Sequence, residues 1–185
     1  MKILALMGSP REGSNTDFIV DKVLEGAQDA GADIKKFMIS ELQFAACCGC
    51  MKCRLNGECE EYGDDNIAML VKELNESDGW VLASPVWGGF LPGQFKAVFD
   101  RLVGPTMEIK PAKEGVKHVS RLLKKKRNGA IIAVCASPAI EMTEASVIFM
   151  KHVLQLHSNG GEIYEIRAPG LAAFGQVKMN REDLK

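Results

Sequence analysis

The sequence predicts an α/β domain: a five-stranded parallel sheet covered by helices on both faces. Two observations predict it. Five short, nearly continuous apolar runs alternate with stretches whose apolar residues recur at helical spacing. That is the pattern of strands buried on both faces and joined by crossover helices. The chain of 185 residues is also long enough for one sizeable core and shows neither an internal repeat nor a second domain. We therefore read 1–185 as a single domain, with a cysteine-rich insert at about 44–62.

The elements follow in order. Residues 2–7 form an apolar strand, and 8–15, rich in Gly, Ser, Pro and Asn, form a loop. From Thr16 the residues Ile19, Val23, Ala27 and Ala30 mark a helix that Gly31 closes. A second strand at 34–39 leads into a long connection that carries the cysteines and runs to about Gly63. Asp64, Asp65 and Asn66 start a helix with Ile67, Val71 and Leu74 on one face. A third strand at 79–83, a loop at 84–92 and a helix at 94–103 come next. Residues 104–128 are poorly periodic and contain Pro105, Pro111 and Gly115. A fourth strand at 130–135 is followed by a loop at 136–142. Thr143 caps a helix that includes Ile148, Phe149, His152, Val153 and Leu156 and ends at Gly160 and Gly161. A fifth strand occupies 162–166, and the tail after Arg167 has no assigned structure.

The net charge of −1 argues against nucleic-acid or membrane-surface binding driven by bulk charge. No apolar run approaches the roughly 18 residues of a spanning helix. The N-terminal apolar run stops at Gly8 without a long hydrophobic region or a cleavage site, which reads as no signal peptide and a cytoplasmic chain. In a reducing compartment, clustered cysteines bind metal or do redox chemistry more often than they form disulfides.

Five of the six cysteines fall within residues 47–59, CCGCMKCRLNGEC. Cys47, Cys50, Cys53 and Cys59 follow the spacing C-x2-C-x2-C-x5-C. A buried structural cysteine behaves as a small hydrophobe and has no reason to recur every three residues. Three readings compete. A [4Fe-4S] cluster fits because two-residue spacers aim three thiolates at three corners of a cubane, and the longer spacer with Gly57 lets the chain return to the fourth. Structural zinc usually takes two separated pairs, and no second C-x2-C pair exists. A bare dithiol site could use Cys47 and Cys50. Cys48 is surplus to the pattern, and Cys135, at the end of a strand, reads as core.

In sheets of this kind, ligands sit beyond the carboxyl ends of the strands. Three loops qualify. The first, GSPREGSNT, lacks both the Rossmann glycine pattern and the P-loop lysine. It offers the hydroxyls of Ser9, Ser14 and Thr16, the Asn15 amide and the Arg11 guanidinium just before a helix N-terminus. That suits a phosphate monoester. The second, SPVWGG, combines Pro85, Val86, the aromatic surface of Trp87, and Gly88 and Gly89, where a flat ligand can approach the backbone. The third offers Ser137, Pro138 and Glu141 and is explained equally well as a turn. His118, His152 and His157 show no catalytic setting, with His152 read as a packed helix residue. Residues 124–127 read as a solvated helix end, with docking of an acidic electron carrier or of the NADPH 2′-phosphate as the alternative, Asp100 and Arg101 as a local ion pair or helix-end contact, and Met7, Met38 and Met51 as core.

GSPREGSNT, SPVWGG and GQFKAVFDR together resemble the flavodoxin-like NADPH-dependent FMN reductase group. With the cysteine insert after the second strand, the chain resembles the iron-sulfur flavoprotein family within that group, over roughly 2–166. The resemblance implies a flavodoxin-like three-layer sandwich with strand order 2-1-3-4-5. It implies FMN, its phosphate on Ser9, Arg11, Ser14, Asn15 and Thr16 and its ring along Pro85, Val86, Trp87 and Gly88, with a contact near Ser137. In the third loop, Ala136-Ser137-Pro138 stands where the group commonly has a glycine pair. The resemblance also implies a homo-oligomer, a dimer or tetramer, in which the cluster of one subunit approaches the flavin of another.

Three functions follow as expectations. The first is an electron-transfer flavoprotein joining a [4Fe-4S] cluster to FMN, with a ferredoxin-like or NAD(P)H donor and oxygen, peroxide or quinone-like acceptors. The second is an NAD(P)H-dependent FMN or quinone reductase without a cluster. The third is a non-enzymatic redox or metal sensor. In the first two the cofactors carry the chemistry, and no side chain need act as an acid or base.

Overall fold

Strand β1 (Lys2–Met7) lies inside the sheet, and its side chains alternate between two cores. Leu4 and Leu6 point into one, and Ala5 and Met7 into the other; all four are at most 1% exposed. A computed structural model describes residues 1–63, 65–122 and 125–179. In it, β1 lies between β2 (Asp33–Met38) and β3 (Gly79–Pro85), and the sheet continues through β6 (Asn128–Val134) to β7 (Ile163–Ala168). All four pairings are parallel. Counting only sheet strands, the order is 2-1-3-4-5, as expected, and each strand lies within two residues of its expected bounds.

Helix α1 (Asn15–Asp29) covers one face, packing Val20 and Leu24 onto Ala5, Met7, Ile132 and Val134. Three helices cover the other face: α3 (Asn66–Glu76), α4 (Gly93–Thr106) and α5 (Glu144–Ser158). They contribute Leu70, Leu74, Phe95, Val98, Met150 and Leu154 to the larger core. Between this face, α4 and α5 a cavity of about 360 Å³ remains, with Trp80, Phe99 and Phe149 in its wall and Arg54 also lining it.

The segment 104–128 contains an antiparallel hairpin, β4 (Met107–Pro111) and β5 (Val116–Ser120). Its strands are mostly exposed and carry Lys110, Lys117 and His118, so neither shows the apolar run of a buried strand. Thr143 stands at the N-cap of α5 as expected but makes no side-chain cap bond; its hydroxyl donates to the Ile140 carbonyl at 2.7 Å. The expected helix start at Asp64 falls outside the described residues, and Asp65 caps α3 by accepting from the Ile67 N–H at 3.0 Å.

Several side-chain expectations change. Met51 is 53% exposed, with φ of 65°, and is not core. His152 is exposed, whereas His157 is buried. The cation run is not a solvated helix end: Lys125 pairs with Asp78 at 2.6 Å, and Arg127 is buried, donating to the carbonyls of Ser77 and Asn75; Lys124 falls outside the described residues.

His157 shares a hydrogen bond between its Nδ1 and Ser120 Oγ at 2.7 Å and packs on Trp80. Burial, followed by the nearby Arg127 charge, lowers its pKa from 6.5 to about 4. The unfolded chain therefore binds a proton that the folded one refuses. Stability from this group is complete above about pH 6.5 and is lost as pH falls toward 4. We predict that urea unfolding of the wild type loses about 2 kcal/mol between pH 7 and 5 from this source. His157→Phe should flatten the profile in that interval; an unchanged profile would refute the assignment.

Candidate functional site

The first loop leaves β1 by passing over Phe95, so closely that a Cβ on Gly8 would lie 2.5 Å from the ring. Only glycine allows that approach, and it aims residues 9–14 across the carboxyl edge of the sheet. Ser14 caps α1, its Oγ accepting from the Asp17 N–H at 3.3 Å and lying 3.2 Å from Ser9 Oγ. The buried Asp17 carboxylate accepts from the Gly13 N–H at 2.6 Å and is paired with Lys36. Lys36 therefore offsets a negative charge that would otherwise oppose an anion at this helix end. The first N–H groups of α1 have no acceptor within the helix itself.

A cleft of about 160 Å³ lies here, between the ends of β1, β3 and β6. Ser9, Arg11, Ser14, Asn15, Thr16, Pro85, Val86 and Trp87 all line it. Gly88 and Ser137 do not. Gly88 and Gly89, at φ of 58° and 81°, form the tip of a tight turn closed by Trp87 and Phe90. Ser137 Oγ accepts from its own loop, from the Ala139 N–H at 3.2 Å.

The fourth wall was not foreseen. It is the segment Leu171, Ala172, Ala173 and Phe174, which follows β7 and returns across the strand ends. The Asn15 amide holds it, donating to the carbonyls of Leu171 at 3.2 Å and Ala173 at 2.8 Å while its Oδ1 accepts from the Val177 N–H at 3.0 Å. The Asn15 side chain is thus committed to the wall. The run LAAF between Gly170 and Gly175 was the available signal, an apolar stretch too short to be an element of its own.

The cysteine loop is built differently. It enters beside α3, where Gln43 and Asn66 exchange hydrogen bonds of 2.6 and 3.1 Å. Cys47, Cys48 and Cys50 are exposed, and Cys53 and Cys59 are partly buried. Cys53 opens the single-turn helix α2 (Cys53–Asn56), which Gly57 ends at φ of 85°. The Gly49 N–H donates to Cys47 Sγ at 3.4 Å. Burial raises the Cys53 thiol pKa, and the charges of Cys59, Cys47 and Cys50 raise it further. Cys48 is instead engaged by Tyr62 and the Cys50 backbone, which lower its thiol pKa. Cys135 is buried, as core. Among the described residues, no three His, Cys, Asp or Glu side chains stand at metal-binding geometry.

Two arginines fasten this loop to α4 and the hairpin. Arg101 does not pair with Asp100, which bonds to Lys96. It is 3% exposed and reaches under the loop. Nη1 donates to the Ala45 carbonyl at 2.6 Å and lies 2.7 Å from Asp65 Oδ2, Nη2 donates to Cys59 Sγ at 3.4 Å, and the guanidinium stacks on Tyr62 at 4.5 Å. The Asp65 contact is an ion pair by distance, without hydrogen-bond alignment at Oδ2. Arg121 donates to the Arg54 carbonyl at 2.8 Å. Between them, Cys53 packs on α4 so tightly that a Cβ on Gly104 would lie 1.9 Å from its Sγ.

The family model for NADPH-dependent FMN reductases matches residues 1–159. The chain belongs to that family. Within it, the chain is 37% identical over 103 residues to a protein named iron-sulfur flavoprotein from Methanosarcina thermophila, a match covering 56% of this chain and 53% of that one. A protein of the same name from Archaeoglobus fulgidus is 35% identical over 104 residues, covering 56% and 46%. The matched region is thus about half the length of these curated relatives. Among solved structures, an FMN-dependent NADH-azoreductase from Bacillus anthracis in complex with FMN superposes with a TM-score of 0.70 at 14% identity, covering 98% of this chain and 93% of that one. An NAD(P)H:quinone oxidoreductase from Methanothermobacter marburgensis gives 0.68 at 13%, covering 98% and 94%. At these identities the two structures speak for the fold, which is flavodoxin-like as expected.

The Gly104 contact yields a prediction. Gly104→Ala should destabilise the metal-free protein by about 1–3 kcal/mol, the usual cost of overpacking. It should also speed thiol labelling of Cys53 by displacing α2 from α4. Unchanged stability and labelling would show that the loop does not rest on this helix.

Proposed function

We propose that this chain is an FMN-dependent electron-transfer oxidoreductase in which Cys47, Cys50, Cys53 and Cys59 carry a [4Fe-4S] cluster and the cleft beside α1 carries FMN. The observation that carries the reading is the four-cysteine spacing on a loop fastened to α4, in a member of an FMN reductase family whose matched relatives are named iron-sulfur flavoproteins. The donor set supports a cluster: of four cysteines on one loop, Cys47 Sγ accepts from the Gly49 N–H and Cys59 Sγ from a buried guanidinium, contacts that suit a polyanionic thiolate group.

Ser9, Ser14, Thr16 and the open N–H groups of α1 hold the FMN phosphate, with Arg11 at the rim. Pro85, Val86 and Trp87 form the shelf for the ring, Trp87 being 46% exposed and available for contact. Gly88 acts by shaping the turn that presents Trp87. Ser137 acts through its carbonyl, which accepts from the Gly170 N–H at 2.7 Å and supports the segment closing the cleft. FMN accepts electrons in pairs or singly and an iron-sulfur cluster accepts them singly, so a protein holding both joins a two-electron partner to a one-electron partner.

The reading extends to a homo-oligomer that brings the cysteine loop of one subunit toward the cleft of another. Val103 on α4 and Ile148 on α5 are 41% and 58% exposed, which supports an apolar contact on that face. Thiolate ligation favours a reducing compartment such as the cytoplasm, and no helix among the described residues is long and apolar enough to cross a membrane. The family's name favours one second reading, an NAD(P)H-dependent FMN or quinone reductase without a cluster. No observation favours the sensor.

Anaerobic purification tests the reading. About four irons with matching acid-labile sulfide and one FMN per chain are expected. FMN without iron, together with prompt NADPH oxidation, would transfer the assignment to the second reading, and zinc in place of iron would remove the cluster. Cys53→Ala should abolish the cluster signal while sparing FMN. For the cleft, Thr16→Val should weaken FMN binding about five- to tenfold, the loss of one hydrogen bond, and leave riboflavin binding unchanged. Equal effects on both ligands would place the phosphate elsewhere.

A further inference from the structure

We propose that Arg101 is a positioning residue that sets the reduction potential of the four-cysteine centre, and that Asp65 moderates it. The inference rests on the cluster reading above and goes beyond it by assigning a function to two residues outside the cysteine motif.

Three observations carry it. The Arg101 side chain is 1% exposed, so its charge is screened little by water. Its Nη2 donates directly to Cys59 Sγ at 3.4 Å, a hydrogen bond to a candidate ligand sulfur. Its Nε is buried with no acceptor among the described residues, leaving a donor unused on a guanidinium whose other contacts are all with the loop and Asp65. A guanidinium needed only as a staple would be satisfied by Ala45, Tyr62 and Asp65. Leaving one N–H unpaired costs free energy, which is offset if an electron-rich centre lies against that group.

The direction follows from electrostatics. Adding an electron to a thiolate-ligated cluster increases its negative charge. A fixed positive charge and an N–H···S bond both favour that state, and net charge and hydrogen bonds to sulfur are among the factors that set cluster potentials. Asp65, 2.7 Å from Nη1, partly cancels the Arg101 charge. Removing Arg101 must therefore lower the potential, and neutralising Asp65 must raise it. A purely structural role for Arg101 predicts no such opposed pair.

The test is an anaerobic redox titration of the cluster by electron paramagnetic resonance, on full-length protein assayed for iron, sulfide and FMN. Arg101→Gln is expected to retain iron and to favour the oxidised cluster about tenfold at a given ambient potential, a downward shift of about 59 mV for one electron. Arg101→Lys, which keeps the charge and loses the fork geometry, should fall between Arg101→Gln and wild type. Asp65→Asn keeps the helix cap, since Asn caps as well as Asp, and should shift the potential upward. If Arg101→Gln fails to fold, Asp65→Asn decides: an upward shift supports the proposal and an unchanged potential overturns it. Full clusters at the wild-type potential in both Arg101→Gln and Asp65→Asn would overturn it and leave the cluster reading intact. Wild-type protein without iron would overturn the cluster reading itself, and this inference with it.

Discussion

A buried guanidinium must be paired, and Arg101 satisfies that demand by drawing the cysteine loop down onto α4. The dependence runs both ways. The loop from Gln43 to Asn66 is long and polar, with little apolar surface to offset the entropy of ordering it. Its fixed points are the Gln43–Asn66 exchange at the neck, Arg101 under Ala45 and Cys59, Arg121 on Arg54, and the Gly104 contact with Cys53. Two of these four come from a single helix, α4. That helix is anchored in turn by Phe95, Val98 and Leu102 in the larger core. The loop is thereby fixed to a rigid element, which the proposed electron-transfer centre would need if its distance to a second centre is to be constant.

The cleft uses the opposite strategy. Among the described residues its lining holds no buried charge, the nearby Asp17 is neutralised by Lys36, and its shape comes from backbone: the Gly8 crossing over Phe95, the turn at Gly88 and Gly89, and the returning segment at 171–174. In the proposed reading, hydroxyls and helix N–H groups would meet an anion, and Pro85 to Trp87 a flat ring. The two candidate centres thus differ in what makes them: the cysteine loop depends on one buried cation, and the cleft on glycines and a cap.

Much of this was legible in the sequence, for identifiable reasons. The central strands β1, β3 and β6 announce themselves as apolar runs, the edge strands β2 and β7 by their alternation with helices, and the strand order came from the family resemblance. The cysteine spacing is a local pattern and needs no tertiary information. The hairpin was not legible because strands exposed to water on both sides carry no periodic apolar signal. Arg101 was misread as a partner of Asp100 because adjacency in sequence says nothing about which way a helical side chain points: neighbours on a helix diverge by about 100°. The same blindness hid Arg127, placed in a solvated run yet buried between carbonyls. The wall at 171–174 was missed because it acquires its role only through Asn15, 156 residues away from Leu171.

That last separation has a consequence for biogenesis. Chains fold from the N-terminus as they are made. The first strand, the phosphate loop and α1 are synthesised early, while the segment that Asn15 must grip is synthesised only after every strand of the sheet. Until Val177 has left the ribosome, the cleft lacks a wall. If the cleft holds FMN as proposed, a nascent chain would present it with a half-formed pocket through most of translation. Capture of the cofactor would then be a late event, timed by the ribosome.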